Sequence, residues 1–194
     1  MDSTPSVSDR RARVEPIVEA GADARLAELL AQTIRREGAP LNLFGTLAHH
    51  PKLLDRFNRF GGFLLNRGLV PPRERELVIL RVGANASSEY EFGQHTLMGR
   101  EAGLSDDEIA ALVSPPSAHS WSRSDLDLLA MVDELCADDC VGEATFEALA
   151  RRWDTDQLIE LVVLAGFYRL VSGFLNTFGV ELDPGVPGWP EQRD

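Results

Sequence analysis

The stretch VPPRERELVILRVGANASSEYEFGQH, residues 70–95, decides the fold. Its two prolines, Pro71 and Pro72, are typical of the first turn of a helix, where the backbone N–H of a residue has no partner to lose. The run at residues 77–82 is apolar on nearly every side, and a helix of that kind belongs in the interior of a domain. The stretch therefore predicts a central helix in an all-α protein.

A second helix is predicted directly afterwards, and three of its polar residues share one face. Ser88, Glu91 and His95 are separated by three and four positions, the spacing that aligns side chains along a helix. Ser88 and Glu91 also have the S-x-x-E spacing of a capping box, which would give both a structural role. Glu91 and His95 would form an acid–base pair in which the carboxylate orients the imidazole and raises its pKa. Both interpretations remain open at this point.

Glu76 adds a second carboxylate to this pattern. It directly precedes the most apolar part of the central helix, where burial is expected, and a buried carboxylate requires a partner or a function. The alternative is a first-turn acid that the helix dipole stabilises. Carboxylates and an imidazole also suit iron or zinc, but we expect no metal at Glu76, Glu91 and His95.

Helix signals extend over most of the chain, and no strict two-residue alternation is longer than a few residues. A first helix is predicted at roughly residues 16–36, ended by Gly38. Ser105 and Glu108 form a capping box at the start of a short helix. Other helices are predicted at residues 51–67, 124–139, 141–153 and 154–179.

These elements predict one all-α domain at residues 16–182, a helical bundle of about eight helices. Residues 1–15 are expected to form a disordered arm, and residues 183–194 a proline-rich tail. A chain of 194 residues is long enough to bury one core, and its hydrophobic content of 44% is that of an ordinary globular domain.

Composition excludes several classes of partner. The formal charge of −12 argues against nucleic acid, because phosphate binding relies on clustered Lys and Arg. No run reaches the 18 or so apolar residues of a membrane span, and the N-terminus lacks the apolar region of a secretory signal. We therefore expect a cytoplasmic protein without nucleic-acid or membrane partners. The two cysteines, Cys136 and Cys140, cannot form a disulfide framework and are typical of buried helix residues.

The run RERELVILRVGANASSEYEFGQHTLMGREAGLSDDEI, residues 73–109, resembles the carboxymuconolactone decarboxylase and alkylhydroperoxidase superfamily. The signature of that family is an acid in an apolar helix, a C-x-x-C or equivalent, a His four residues on, and a segment like AGLSDDEI. The resemblance covers roughly residues 41–182. It implies a helical bundle of that family's type which assembles as a homo-oligomer, a trimer or hexamer, and the many apolar residues of residues 57–68 and 167–179 favour assembly.

The site departs from the peroxidase branch of that family. Ser88 and Glu91 stand where the branch has its two cysteines, and His95 stands where it has its His. Peroxide reduction needs an attacking thiolate and a resolving thiol, so cysteine chemistry at these positions is not expected. The E-F-x-x-H pattern of residues 91–95 resembles the decarboxylases instead, and this resemblance implies a reaction without a cofactor.

The decarboxylase resemblance also implies roles. His95 would donate a proton to a dienolate, and Glu91 would orient it. Glu76 would be a second acid–base group or a hydrogen-bond partner in the pocket, and Ser88 would donate to the substrate. The substrate implied is a small carboxylated lactone or a related enolisable acid.

A carboxylated substrate also needs a cation or a donor to hold it. Arg169 and Asn176 are seven residues apart on the last predicted helix and share a face. An Arg there would bind a carboxylate through two hydrogen bonds; the alternative is a surface or ion-paired Arg. Two other functional classes stay open: a redox protein that uses Cys136 and Cys140, and a helical assembly protein without catalysis.

Overall fold

The computed structural model describes residues 12–190, and this range is almost entirely helical. It contains nine α-helices and one short antiparallel β-hairpin. In chain order the elements are α1 (Ala24–Ala31), β1 (Arg35–Arg36), β2 (Ala39–Pro40), α2 (Asn42–Leu47), α3 (Pro51–Asn66), α4 (Pro72–Asn85), α5 (Glu89–Glu101), α6 (Asp106–Ala111), α7 (Arg123–Asp138), α8 (Glu143–Ala150) and α9 (Thr155–Phe178). The all-α bundle expected from the sequence is confirmed. Most of the arm predicted at residues 1–15 lies outside the described residues.

Helix α4 lies at the centre of the bundle. It packs against α5, α7 and α9. Five of its apolar side chains have no exposed surface: Leu77, Val78, Ile79, Leu80 and Val82. Full burial of such a side chain stabilises the folded state by about 1.5–3 kcal/mol relative to leaving the side chain exposed. The central position predicted for this helix is confirmed, and it gives the functional residues on α4 and α5 a rigid support.

Local capping chemistry fixes the ends of two other helices. The capping box predicted at Ser105 and Glu108 is present at the start of α6, and both of its hydrogen bonds form. Asp154 and Gln157 form a second box at the start of α9, which ends at Gly179 with a left-handed φ of 62°. These ends need only a few neighbouring residues, so the sequence predicts such signals well.

The first helix is shorter than predicted. The sequence indicates a helix at roughly residues 16–36, whereas α1 covers only Ala24–Ala31. Asp23 begins it by accepting a backbone hydrogen bond at 3.0 Å. Glu37 and Gly38 both have positive φ, 50° and 84°, the backbone conformation of a two-residue hairpin turn. The chain therefore leaves the helix early and forms the β1–β2 hairpin.

Helix α9 is the one described helix whose length and composition would allow it to cross a membrane. The sequence expectation concerned an unbroken apolar run, and α9 is not one, because Glu160 and Arg169 interrupt it. In the folded chain, however, 44% of its most apolar window is buried against the other helices. Its inward face carries Glu160 and Ser172 beside the apolar side chains. A core helix passes the same test, so the finding is weak support for a membrane segment.

The described part of the C-terminal segment, residues 183–190, packs against α5. The ring of Trp189 lies 5.0 Å from that of Phe92, and Val186 is buried. A Cβ at Gly93 would collide with the backbone carbonyl of Pro187, so the segment crosses the helix in close contact. The proline-rich tail predicted from the sequence thus covers one side of α5.

Candidate active site

A cavity of about 330 Å³ lies between the β1–β2 hairpin, α2, α3, α5 and α9. We call it the central cavity. Aromatic and aliphatic side chains form much of its wall, among them Phe44, Phe57, Phe167 and Val171. The polar residues on the wall include Arg36, Glu91, Gln94, His95, Glu101 and Tyr168. Its volume is at the lower end of the range for small-molecule sites, which suits a small organic substrate.

His95 lies between two carboxylates on this wall. Its Nδ1 is 2.6 Å from Oε2 of Glu76, and its Nε2 is 3.0 Å from Oε1 of Glu91. The three side chains are 7%, 0% and 4% exposed, in the order His95, Glu76, Glu91. His95 and Glu91 line the central cavity, whereas Glu76 supports the imidazole from the protein interior.

The packing of α4 against α5 produces this arrangement. Glu76 is in the second turn of α4, and Glu91 and His95 are one turn apart on α5. Gly83 allows the two helices to approach closely, because a Cβ there would lie 3.3 Å from the backbone nitrogen of Phe92. The close approach of α4 and α5 thereby brings the carboxylate of Glu76 to the imidazole of His95.

The two carboxylates keep His95 charged. Burial alone would lower the pKa of His95, but the negative charges of Glu76 and Glu91 and their contacts with the ring raise it to about 10. Burial likewise opposes the charge on Glu76, but His95 and Arg75 lower the pKa of this carboxyl below its usual value. Arg75 Nε lies 2.9 Å from Glu76 Oε1. The positive charges of His95 and Arg75 thus balance the negative charges of Glu76 and Glu91 in the protein interior.

Tyr168 on α9 completes the surroundings of the imidazole. Its ring meets that of His95 edge to face, with centroids 4.9 Å apart. Burial and the negative charges of Glu91 and Glu76 raise the pKa of Tyr168 well above its usual value. The phenol therefore stays protonated and keeps an O–H on the wall of the central cavity. No sequence pattern indicates a role for Tyr168, because its position relative to α5 depends on tertiary packing.

Ser88 begins α5 but does not cap it. Its side chain accepts no hydrogen bond from the first turn, and Glu91 pairs with His95 instead. The capping-box interpretation of this pair is therefore wrong. Ser88 is fully buried, its Oγ has no hydrogen-bond partner within residues 12–190, and it does not line the central cavity.

Arg169 and Asn176 are not brought to the central cavity. Arg169 is exposed and donates a hydrogen bond from Nη1 to the backbone carbonyl of Cys136 at 2.5 Å. Asn176 donates from Nδ2 to the backbone carbonyl of Ala86 at 2.8 Å. These contacts make them helix-to-helix links, in agreement with the alternative of a surface Arg.

The cysteines also lie elsewhere. Cys136 is half-buried and Cys140 is exposed, and neither lines the central cavity. Over the part of the chain that the structure describes, no group of three or more His, Cys, Asp or Glu side chains is arranged to hold a metal ion.

A second polar network borders the central cavity and was not expected from the sequence. The buried carboxylate of Asp183 accepts hydrogen bonds from Tyr90 at 2.5 Å, from Gln94 at 2.6 Å and from the backbone of Asn42 at 2.9 Å. It thus ties the C-terminal segment to α5 and α2. A single Asp in a proline-rich segment has no periodic pattern, so no sequence signal identifies it.

Comparison with known proteins agrees with this geometry. The profile of the Carboxymuconolactone decarboxylase family matches residues 51–134, which include Glu76, Glu91 and His95. No curated protein matches the sequence significantly.

Solved structures share the fold at low sequence identity. An uncharacterized peroxidase-related protein from Silicibacter sp. TM1040 has a TM-score of 0.78 and 13% identity, over 96% of this chain and 97% of its own. An alkylhydroperoxidase AhpD core protein from Ralstonia eutropha JMP134 has a TM-score of 0.77 and 21% identity, over 89% and 93%. The apo debrominase Bmp8 has a TM-score of 0.73 and 12% identity, over 88% and 92%.

The family profile and the shared fold agree with the residue pattern of α4 and α5. Residues 51–134 match the profile of the Carboxymuconolactone decarboxylase family, and the fold is that of AhpD-like proteins, so both findings support the resemblance to the carboxymuconolactone decarboxylase and alkylhydroperoxidase superfamily.

Proposed function

We propose that the chain is a cofactor-independent acid–base enzyme that acts on a small carboxylated lactone or a related enolisable acid. One observation carries this proposal: His95, held between two carboxylates, lines a cavity of about 330 Å³. A strongly perturbed pKa in a cleft is typical of a catalytic group. The match of residues 51–134 to the Carboxymuconolactone decarboxylase family supports the same reaction class.

Decarboxylation of such a substrate needs a proton donor and a partner for developing negative charge. The bond between the substrate carbon and its carboxylate breaks, and CO₂ leaves. The electron pair moves into the conjugated lactone carbonyl and forms a dienolate. A proton then adds to the dienolate carbon. The substrate serves as its own electron sink, so the protein needs only to position groups and supply the proton.

His95 is the proton donor in this scheme. Its pKa of about 10 keeps it charged at neutral pH. Glu76 holds the proton on Nδ1, so the proton on Nε2 is the one transferred. Glu91 pairs with Nε2 and also lines the central cavity, so it is the group through which the proton passes to the substrate. After transfer, His95 is neutral and regains a proton from solvent.

Tyr168 is the candidate donor to the dienolate oxygen. Its phenol stays protonated, and it lies on the same wall as His95. A positioned donor of this kind typically contributes about 10²- to 10³-fold to the rate. Its hydroxyl would stabilise the oxygen on which negative charge develops.

Turnover of 4-carboxymuconolactone and related lactone acids tests the proposal. CO₂ release and loss of ultraviolet absorbance are followed for the wild type, His95→Gln and Glu91→Gln. We expect kcat to fall about 10²- to 10⁴-fold in His95→Gln, the usual contribution of a positioned acid. Glu91→Gln should lose at least about 10-fold, because it keeps the shape of the side chain without its charge.

The matched control is His49→Gln, which changes an exposed histidine outside the central cavity and should keep kcat within about twofold. Urea unfolding establishes that each variant is folded at the assay temperature. Release of CO₂ from none of the acids, or a full rate in the folded His95→Gln variant, would contradict the proposal and favour an assembly protein without catalysis.

A thiol peroxidase is the second candidate, because two of the similar structures are named as peroxidase-related proteins. Such an activity would have to use Cys136 and Cys140, which lie outside the central cavity. Thiol-dependent reduction of a small organic hydroperoxide that disappears in the double variant Cys136→Ser, Cys140→Ser would favour this candidate.

We also propose that the chain assembles as a trimer or hexamer. Large apolar side chains are 44–61% exposed on α3 and α9: Leu53, Phe60, Phe63, Ile159 and Leu170. Helices α3 and α9 pack against each other, and exposed apolar surface on neighbouring helices is typical of protein interfaces. Light scattering after size-exclusion chromatography measures the copy number directly, and a monomer would contradict this proposal.

A further inference from the structure

We propose that Arg36 is the anion-binding residue of the central cavity and selects substrates with a carboxylate that the reaction retains. The inference rests on the proposed function, because it names the group that would hold the substrate against His95. Arg36 takes the role expected of Arg169, which does not line the central cavity.

The position of Arg36 is the first support. It belongs to β1 and precedes the hairpin turn at Glu37 and Gly38. Its side chain lines the central cavity together with Glu91 and His95. Among the lining residues of the described chain, it is the only Lys or Arg. The hairpin that interrupts the predicted first helix thus brings a guanidinium to the wall of the site.

The lack of a protein partner is the second support. Nε of Arg36 is buried and has no hydrogen-bond partner within residues 12–190, where Arg36 also forms no ion pair. Other arginines that are partly or fully buried are paired: Arg73 with Asp125, Arg75 with Glu76, and Arg81 with Asp133. A buried donor without a partner reduces stability, so a bound ligand is the natural group to satisfy it.

The charge of the cavity wall is the third support. Glu91 and Glu101 lie on this wall and repel an anion, and the whole chain has a formal charge of −12. The charge of His95 on the same wall is already paired with Glu76 and Glu91, so an anionic substrate needs a further cation to bind. A guanidinium binds a carboxylate through two parallel hydrogen bonds, in a geometry that an ammonium group does not reproduce.

The chemistry indicates which carboxylate Arg36 holds. A departing carboxylate loses its charge as it becomes CO₂, so a guanidinium bound to it would stabilise the starting state and slow the reaction. A carboxylate that stays on the substrate keeps its charge throughout. Arg36 therefore binds a second, retained carboxylate, and the preferred substrate is a small acid with two carboxylates.

Binding of an unreactive probe tests this inference without any turnover. The probes are 5-oxotetrahydrofuran-2-acetate, a saturated lactone whose one carboxylate is on a side chain that decarboxylation at the ring would retain, and its primary amide, measured by titration calorimetry at neutral pH. We expect the wild type to bind the acid at least about tenfold more tightly than the amide, as for a hydrogen-bonded charge pair. Arg36→Gln should abolish this preference, and Arg36→Lys should retain part of it.

Arg35→Gln is the matched control. It removes the same charge from the neighbouring position of the hairpin, where Arg35 is exposed and donates to the carbonyl of Gly38. We expect it to keep the preference for the acid. Equal binding of acid and amide by the wild type, binding of neither, or an unchanged preference in folded Arg36→Gln would each overturn the inference.

Two results separate this inference from the proposed function. If the acid binds in an Arg36-dependent manner but no lactone acid releases CO₂, the anion site stands and the decarboxylase function fails. If CO₂ release depends on His95 but Arg36→Gln binds the acid like the wild type, the function stands and the anion site fails. With a dicarboxylate substrate, Arg36→Gln should mainly raise KM, whereas His95→Gln should mainly lower kcat.

Discussion

Replacement of Glu76 by Gln should make the stability of the protein depend less on pH. The pKa of His95 rises from 6.5 in an unperturbed imidazole to about 10 in the folded chain. One pKa unit is equivalent to about 1.36 kcal/mol, so the folded state favours the charged ring by on the order of 5 kcal/mol. The lowered pKa of Glu76 reflects the same interaction and adds nothing further.

The sign of the effect follows from the raised pKa. This stabilisation is fully present below about pH 6.5, where His95 is charged in both states, and it is lost as the pH rises to about 10. Glu76→Gln removes the largest interaction that holds the proton. We expect it to reduce the free energy of unfolding by about 3 kcal/mol near pH 6. Near pH 10 the reduction should be smaller, about 1–2 kcal/mol, because there the main contact that Glu76→Gln loses is the charged hydrogen bond with Arg75.

Urea unfolding of both proteins at a series of pH values measures this difference. Glu74→Gln is the matched control, because it removes a carboxylate from the same helix whose contact is a half-exposed Arg152 at 3.5 Å. Its effect should be about 0–1 kcal/mol at every pH. A destabilisation by Glu76→Gln that is equally large near pH 6 and near pH 10 would refute the idea of a charged pair at His95.

Three further predictions concern other parts of the molecule. Asp183→Ala leaves three hydrogen-bond donors unpaired, so we expect a loss of about 3 kcal/mol in urea unfolding and a higher KM. Arg81→Met removes the 2.7 Å ion pair with Asp133 and leaves two backbone carbonyls without this donor, so it should reduce the free energy of unfolding by about 2–3 kcal/mol. The double variant Cys136→Ser, Cys140→Ser should keep lactone turnover within about twofold in a steady-state assay.

Matched surface changes control the two stability predictions. Glu181→Ala, two residues before Asp183, removes an exposed carboxylate and should change the free energy of unfolding by less than about 0.5 kcal/mol. Arg100→Ala breaks an exposed ion pair with Asp106 and should cost about 0–1 kcal/mol. An effect of Asp183→Ala or Arg81→Met as small as its control, or a loss of turnover in the cysteine variant, would contradict the roles assigned here.

The parts of the fold that depend only on residues close together in the sequence were predictable. The apolar run of α4 requires an interior position whatever surrounds it, and the capping box of Ser105 and Glu108 needs only four residues. The same holds within the site for Glu91 and His95, because one helical turn separates them. Glu76 was identified because a carboxylate beside a buried run requires a partner.

The parts that depend on tertiary packing were not predictable. The apolar pattern of the first helix continues past its end, and only the left-handed backbone at Glu37 reveals the hairpin. For the same reason the sequence indicated Arg169 as a candidate anion-binding residue and gave no signal for Arg36. Which arginine faces the cavity depends on how distant elements pack. The network of Asp183 joins residues about 90 and 140 positions apart, beyond any local pattern.

Direct observation of the His95 ring is the decisive measurement. The chain has four histidines, so nitrogen NMR of the imidazole rings, assigned with His95→Gln, resolves each protonation state across a pH titration. We expect His95 to keep a proton on both Nδ1 and Nε2 at pH 8 and to titrate near 10. A neutral ring at pH 8, with a pKa near or below 6.5, would contradict a charged proton donor between Glu76 and Glu91.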